Sequence, residues 1–345
     1  MYSHAFVKSF QFSDLFSPTA QPISAPEAEL LAHNSRVIWT VIAVMSVATV
    51  VGYWAAGLSF AWSTFQAIGL GAVPCLAVAY FYRRLRPDVF ISFPTENFAQ
   101  LLLALTLGAA LSYPLAVPGF PYCDALLNGA DVWMGLDWRA YLRFVSDRPL
   151  LGTIMLLAYD SVLFQLVVLL VVLVPTLRFV RFQQFVLANA LGLCIALAIF
   201  SFMPAAGTYS FLHIEHSEYA DLTPVVTTDL RDFLDGLRSG KQMLVDEMSG
   251  LITFPSFHSA WAIFFMWGFY PIKRLRVGAI LLNLVVLAST PIQGAHYFID
   301  LIGGAIVAGV SIHCAVWLTS AARRTSAANA APCPQDDVAG GRQMA

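Results

Sequence analysis

Apolar residues along this chain gather into long runs instead of alternating with polar ones. Eight runs stand out, at about 37–57, 61–82, 97–117, 150–174, 184–203, 256–272, 277–293 and 298–319. A helix needs about 20 apolar residues to cross the hydrocarbon core of a bilayer. The pattern therefore predicts an all-α fold, a polytopic transmembrane helical bundle of about eight spans. The sixth and seventh runs are short and depend on the reading of their flanks. Pro74 and Pro114 lie inside the second and third, where each removes a backbone donor and can kink its helix.

The polar links predict an orientation, because short links rich in Lys and Arg stay on the cytoplasmic side. Arg83, Arg84 and Arg86 follow the second run, and Arg178 and Arg181 the fourth. Lys273, Arg274 and Arg276 separate the sixth from the seventh, and Arg323 and Arg324 follow the eighth. Eight crossings put all four groups on one side and both termini in the cytoplasm. The outer side then carries two long links. Residues 118–149 interleave Asp124, Asp131, Asp137 and Asp147 with Leu127, Trp133, Trp138 and Tyr141. That reads as one or two amphipathic helices lying in the interface, with Trp and Tyr as an interfacial belt. Residues 204–254 are acidic and lead directly into His258; links of that length are commonly lids or binding loops.

Composition agrees: 58% of residues are hydrophobic and 12% charged, against about 25% charged in a typical soluble domain. The formal net charge of -2 is uninformative about partners, and nothing points to nucleic acid. Residues 1–36 are mixed polar with three prolines and no apolar core of a signal peptide, so the first run is expected to stay as an anchor. Of five cysteines, Cys75, Cys194 and Cys314 fall in apolar runs, Cys123 in an outer link and Cys333 in the tail. This is neither a disulfide framework nor a metal-type spacing. The chain divides into a cytoplasmic segment at 1–36, three N-terminal spans at 37–117, a catalytic membrane domain at 118–320, and a cytoplasmic tail at 321–345 expected to be disordered.

Two short segments carry candidate chemistry. Phe254-Pro255-Ser256-Phe257-His258-Ser259 opens the sixth run. Proline suits a first helical turn, and the free N–H groups and positive dipole end there favour an anion beside Ser256 and His258. His296 and Asp300 are four residues apart, a spacing that puts them on one helical face. A carboxylate beside an imidazole fixes its tautomer and stabilises the imidazolium form. At 1.5 Å per residue, His258 and His296 stand roughly 22 and 30 Å from the basic link, near the outer boundary. Short links make the last three runs neighbours, so one pocket can hold all three groups. Either histidine alone would read as structural or interfacial; their coincidence at one face favours function. Ser256, Gln293, Tyr297 and Tyr209 are candidate substrate-binding residues. Asp160, beside Tyr159 and Ser161 in the fourth run, reads as satisfied by neighbouring helices, with a pocket-lining role as the alternative. His313 reads as structural, and Gly303-Gly304 as a site of close helix packing.

At these residues the chain resembles the type 2 phosphatidic acid phosphatase superfamily. Pro255-Ser256-x-His258, followed by Ser289-x6-His296-x3-Asp300, is similar to its second and third signature motifs. These runs, with Phe202-Met-Pro-Ala-Ala-Gly-Thr-Tyr209, look most like the branch of inositol phosphorylceramide synthases and their bacterial relatives. The resemblance covers about 120–310. It implies a six-helix catalytic core in which His296 attacks phosphorus to form a phosphohistidine, Asp300 orients the ring and His258 protonates the leaving oxygen, with no metal and no cofactor. It implies phospholipid, polyprenyl phosphate or phosphosphingolipid substrates, and an integral protein of the bacterial inner membrane with its site at the outer, periplasmic face.

Two departures matter. Thr290 stands where the phosphatase pattern has an arginine, and no Lys-x6-Arg-Pro motif exists: Ala79 and Tyr141 lie seven residues before Arg86-Pro87 and Arg148-Pro149. Missing phosphate-binding cations weaken phosphomonoester hydrolysis and favour transfer of a less charged phosphodiester to a lipid hydroxyl. Arg231, Arg238 and Lys241 are candidate replacements. The expected function is a lipid phosphotransferase. Alternatives are a lipid or polyprenyl phosphate phosphatase using water, a transporter or channel, and a vanadate-dependent peroxidase, against which the hydrophobic setting argues. Oligomeric state stays open.

Overall fold

Every one of the eight apolar runs is a helix in the computed structural model, which describes residues 24–329 except 174, 175, 177, 220, 221, 227, 228 and 246–249. Residues 1–23 and 330–345, with Cys333 and most of the tail expected to be disordered, lie outside the described residues. In chain order, α1 (Ala25–Ala56), β1 (Ser59–Phe60), α2 (Trp62–Arg84) and α3 (Val89–Ala116) precede a pair of short helices, α4 (Asp124–Trp133) and α5 (Trp138–Ser146). Then come α6 (Pro149–Leu173), α7 (Phe179–Phe202), the short α8 (Thr208–Phe211), α9 (Asp229–Arg238) and β2 (Leu244–Val245). The chain closes with α10 (Phe257–Phe269), α11 (Lys273–Gln293) and α12 (Phe298–Asn329).

Among the described residues six helices, α1, α3, α6, α7, α11 and α12, are long and apolar enough to cross a membrane. The sixth run forms a shorter element than its apolar length suggested. α10 has 13 residues, about 20 Å, because Ser256 caps its start and Pro271 follows its end. α10 packs between α11 and α12, which touch each other little.

In α6 the buried face runs through Met155, Tyr159, Val162, Leu166, Leu169 and Leu173, while Leu157, Leu163, Phe164 and Val167 on the other side are exposed and equally apolar. Lipid is as apolar as a protein core, so polar contacts between helices add specificity. Asn283 donates to Gln165 Oε1 at 2.7 Å, and Trp261 to Asn189 Oδ1 at 2.9 Å. At one end of the bundle buried Glu96 pairs with Arg83 and accepts from Ser35 and Trp39. At that end too the Arg181 guanidinium lies 3.3 Å from the centre of the Trp267 ring.

The other end gathers the long links. β1 pairs in parallel with β2, joining the α1–α2 link to the 204–254 segment, and the Cys123 N–H donates to the Pro204 carbonyl at 2.8 Å. The charge-based sorting of links into two sides is thus matched by which links touch.

Candidate active site

The link between α11 and α12 carries His296, and its backbone is fixed from outside. The carbonyl of Ile292 accepts from the Tyr209 hydroxyl at 3.1 Å. That of Gln293 accepts from the Val225 and Val226 N–H groups, and that of Ala295 from the Thr208 N–H at 3.0 Å. The carbonyl of His296 accepts from Trp138 Nε1 at 3.1 Å. Ala295 has a φ of 56°, a left-handed conformation costly for alanine. Gly207 lies against it with a φ of 89°, and a Cβ there would meet the Ala295 carbonyl oxygen at 3.1 Å, so glycine suits position 207 for both reasons.

His296 precedes α12, and Asp300 sits in that helix's first turn. The His296 Nδ1 lies 3.1 Å from Asp300 Oδ2, and the same oxygen accepts the Tyr297 N–H at 2.9 Å. Asp300 thus serves the helix start as half of a capping box while holding the ring. Both side chains are buried.

α4 braces this arrangement from behind. Buried Asp124 accepts the N–H groups of Ala206 and Gly207 and the Tyr297 hydroxyl. Asp131 accepts the first two N–H groups of α12, from Phe298 and Ile299, at 2.8 Å each. Burial pushes the Asp131 carboxyl above the usual carboxylate range, and those two donors pull it back. The belt expected at 133–141 is therefore only partly a belt. Trp133 is 88% exposed, but Trp138 is 2% exposed, and the Tyr141 hydroxyl bonds the Ala288 carbonyl at 2.7 Å. Trp138 and Tyr141 turn inward to donate to the carbonyls of His296 in the α11–α12 link and of Ala288 in α11.

His258 stands in the first turn of α10. Its Nδ1 lies 3.0 Å from the Tyr159 hydroxyl of α6, and the two rings stack with centroids 4.1 Å apart and planes 18° from parallel. The histidines converge at Gly294: a Cβ there would lie 2.8 Å from the Tyr159 hydroxyl oxygen and 3.1 Å from His296 Nε2. Nδ1 is engaged on each ring, and the Thr253 backbone also hydrogen-bonds the His296 imidazole.

Tyr159, His258, Gly294 and His296 line a cavity of about 660 Å³. Its remaining wall is mostly apolar. Leu105 and Tyr113 come from α3, Trp261 from α10, and the 204–254 segment roofs it through Val225, Phe233 and Ile252. No lysine, arginine, aspartate or glutamate is among the described residues lining it.

The structure brings His258, His296 and Asp300 together and leaves the four candidate substrate-binding residues behind them. Ser256 is buried as the cap of α10, accepting the Ser259 N–H at 3.4 Å. Tyr297 and Tyr209 spend their hydroxyls on Asp124 and Ile292. Gln293 is buried with Oε1 unpartnered; none of the four lines the cavity. Nor do the replacement cations: Arg231 pairs with Asp235 at 3.7 Å, Arg238 lies over the Tyr122 ring, and Lys241 is exposed. Thr290 bonds within its own helix. Asp160 is neither satisfied by neighbouring helices nor in the pocket. It is exposed on the outer surface of α6, since one residue turns a helix by about 100°. His313 is also exposed. Gly303 and Gly304 do mark close packing, against Pro255 and the Ser256 carbonyl. Sequence reasoning passed over Tyr159 and Gly294, and saw Asp124 and Asp131 only as interfacial acids.

Residues 125–314, more than half of the chain, match the family model of the PAP2 superfamily. The match spans both histidine segments, and the protein belongs to this superfamily, whose members are phosphatases or phosphotransferases. Its apolar helices make it an integral membrane member. No curated protein and no solved structure matches the chain.

Proposed function

We propose that this protein is a lipid phosphotransferase that works through a phosphohistidine on His296. The observation that carries the reading is the pair of imidazoles in one cavity, each held by Nδ1, with a carboxylate on only one of them. The lone pair of His296 Nε2 forms a bond to phosphorus as the bond from phosphorus to the leaving oxygen breaks. That oxygen takes a proton from His258. An acceptor hydroxyl then attacks, giving its proton to His258 as the N–P bond breaks. Asp300 holds the ring in place and offsets its positive charge.

The apolar wall suits a lipid chain, and a phosphodiester suits a site with no basic side chain in its lining. The free N–H groups at the start of α10 are the remaining anion donors. The roof over the cavity favours a lipid hydroxyl over water as acceptor. In this reading the basic links face the cytoplasm and the site opens at the outer face of a bacterial inner membrane.

Incubating purified protein with labelled phosphatidylinositol, phosphatidylglycerol or phosphatidic acid and a lipid alcohol tests the reading. We expect a phosphorylated acceptor, abolished in His296→Ala. Hydrolysis with no acceptor product would reject transfer, and no turnover of any phosphoester would reject the enzyme.

A further inference from the structure

The two imidazoles in the cavity have different partners. His296 is held by a carboxylate, whereas His258 is held by a phenol. The Tyr159 hydroxyl lies 3.0 Å from His258 Nδ1, and the ring beneath it stacks on the imidazole at 4.1 Å. Trp261 closes the edge at 5.3 Å. Tyr159 is 4% exposed and lines the cavity with His258.

A phenol oxygen, like a carboxylate oxygen, can accept from an imidazole N–H, but without a carboxylate's full negative charge it stabilises the imidazolium less and leaves a stronger acid. In the charged ring both nitrogens carry protons, and the Tyr159 oxygen accepts from Nδ1–H. When Nε2 gives its proton to the leaving oxygen, the neutral ring keeps its proton on Nδ1 and the same oxygen still accepts it. The hydroxyl therefore holds the imidazole in one orientation through both halves of a proton transfer at Nε2. The stack fixes the ring plane, and the hydrogen bond fixes rotation within it. Gly294 keeps the space between this hydroxyl and His296 Nε2 clear, since even a methyl there would collide with both.

We infer that Tyr159 is the positioning residue for His258 as general acid, aiming Nε2 at the leaving oxygen. The inference rests on the proposed phosphotransfer. It predicts a signature that a packing role would not produce: the need for Tyr159 should depend on the leaving group. An alkoxide needs a proton as the ester bond breaks; a nitrophenolate does not.

The test compares two lipid phosphodiesters, phosphatidylglycerol and hexadecyl p-nitrophenyl phosphate, in wild type, Tyr159→Phe, His258→Ala and the double variant. Phenylalanine keeps the stack and removes only the hydroxyl. Positioned acids contribute about 10²–10⁴-fold, so we expect Tyr159→Phe to lose about 10²-fold on the alkoxide ester in kcat/KM, which reports departure of the leaving group and not the later resolution of the phosphohistidine. The loss on the nitrophenyl ester should be less than a tenth of that. Adding Tyr159→Phe to His258→Ala should cost almost nothing more, because residues acting as a unit are not additive. Equal losses on both esters, or additive losses in the double variant, would overturn the role of Tyr159. If His258→Ala itself shows the leaving-group dependence and Tyr159→Phe does not, the phosphotransfer reading stands and this inference fails. If wild type turns over neither ester, the functional reading fails with it.

Discussion

A methyl group added at Gly294 would lie 2.7 Å from His296 Cδ2 and 2.8 Å from the Tyr159 hydroxyl. The backbone there has a φ of −106°, which alanine tolerates, so Gly294→Ala perturbs space and not conformation. We expect it to lower kcat about 10²-fold, the scale of a misplacement near 1 Å, with little change in the thermal unfolding midpoint. A large fall in midpoint instead would make Gly294 a stability residue. His258, His296 and Asp300 were legible because a polar side chain in an apolar context stands out in a sequence. Tyr159 was not, because a tyrosine in an apolar run resembles its neighbours, and Asp160 drew the eye to the wrong side of the same helix. Gly294 has no side chain to notice; only the closeness of two rings makes its absence of one meaningful.

At the scale of elements, α4 and α12 act as brace and frame. Asp131→Ala would leave two N–H groups at the start of α12 without their acceptor. The expected cost is about 1–2 kcal/mol, as for a lost helix cap, read as a lower unfolding midpoint in detergent. Asp124→Ala removes the acceptor of three donors and should lower the midpoint further, since each buried unsatisfied group costs about 1–3 kcal/mol. Equal or smaller loss for Asp124→Ala would contradict this order. Where α12 meets α10, a Cβ on Gly304 would overlap the Ser256 carbonyl oxygen. Gly304→Ala should therefore destabilise by about 1–3 kcal/mol, as overpacking does, and reduce activity by displacing the turn that carries His258. The amphipathic pattern of 118–149 foretold helices α4 and α5 but not their partners. Amphipathicity says that a face is buried, and a membrane surface or a protein surface can bury it.

Over the whole molecule, the links sort into two ends. In a cysteine-free background, Ser217→Cys should react with a membrane-impermeant maleimide in intact cells, and Arg86→Cys only after permeabilisation. Labelling of Arg86→Cys from outside would reverse the proposed orientation. The sequence by itself determined that the chain is a helical membrane protein and which runs become helices, and it singled out His258, His296 and Asp300, which the fold brings together. Those conclusions follow from hydrophobic length and from local spacing, both of which act along the chain. Tertiary structure alone decided which face of each apolar helix turns inward, because lipid and protein interior make equal demands on side chains. It alone decided that Tyr159 meets His258 across 99 positions of sequence, and that the 118–149 link supports the His296 loop. It also showed that neither Arg231, Arg238 nor Lys241 lines the cavity with His258 and His296, since a cation's sequence position says nothing about its reach.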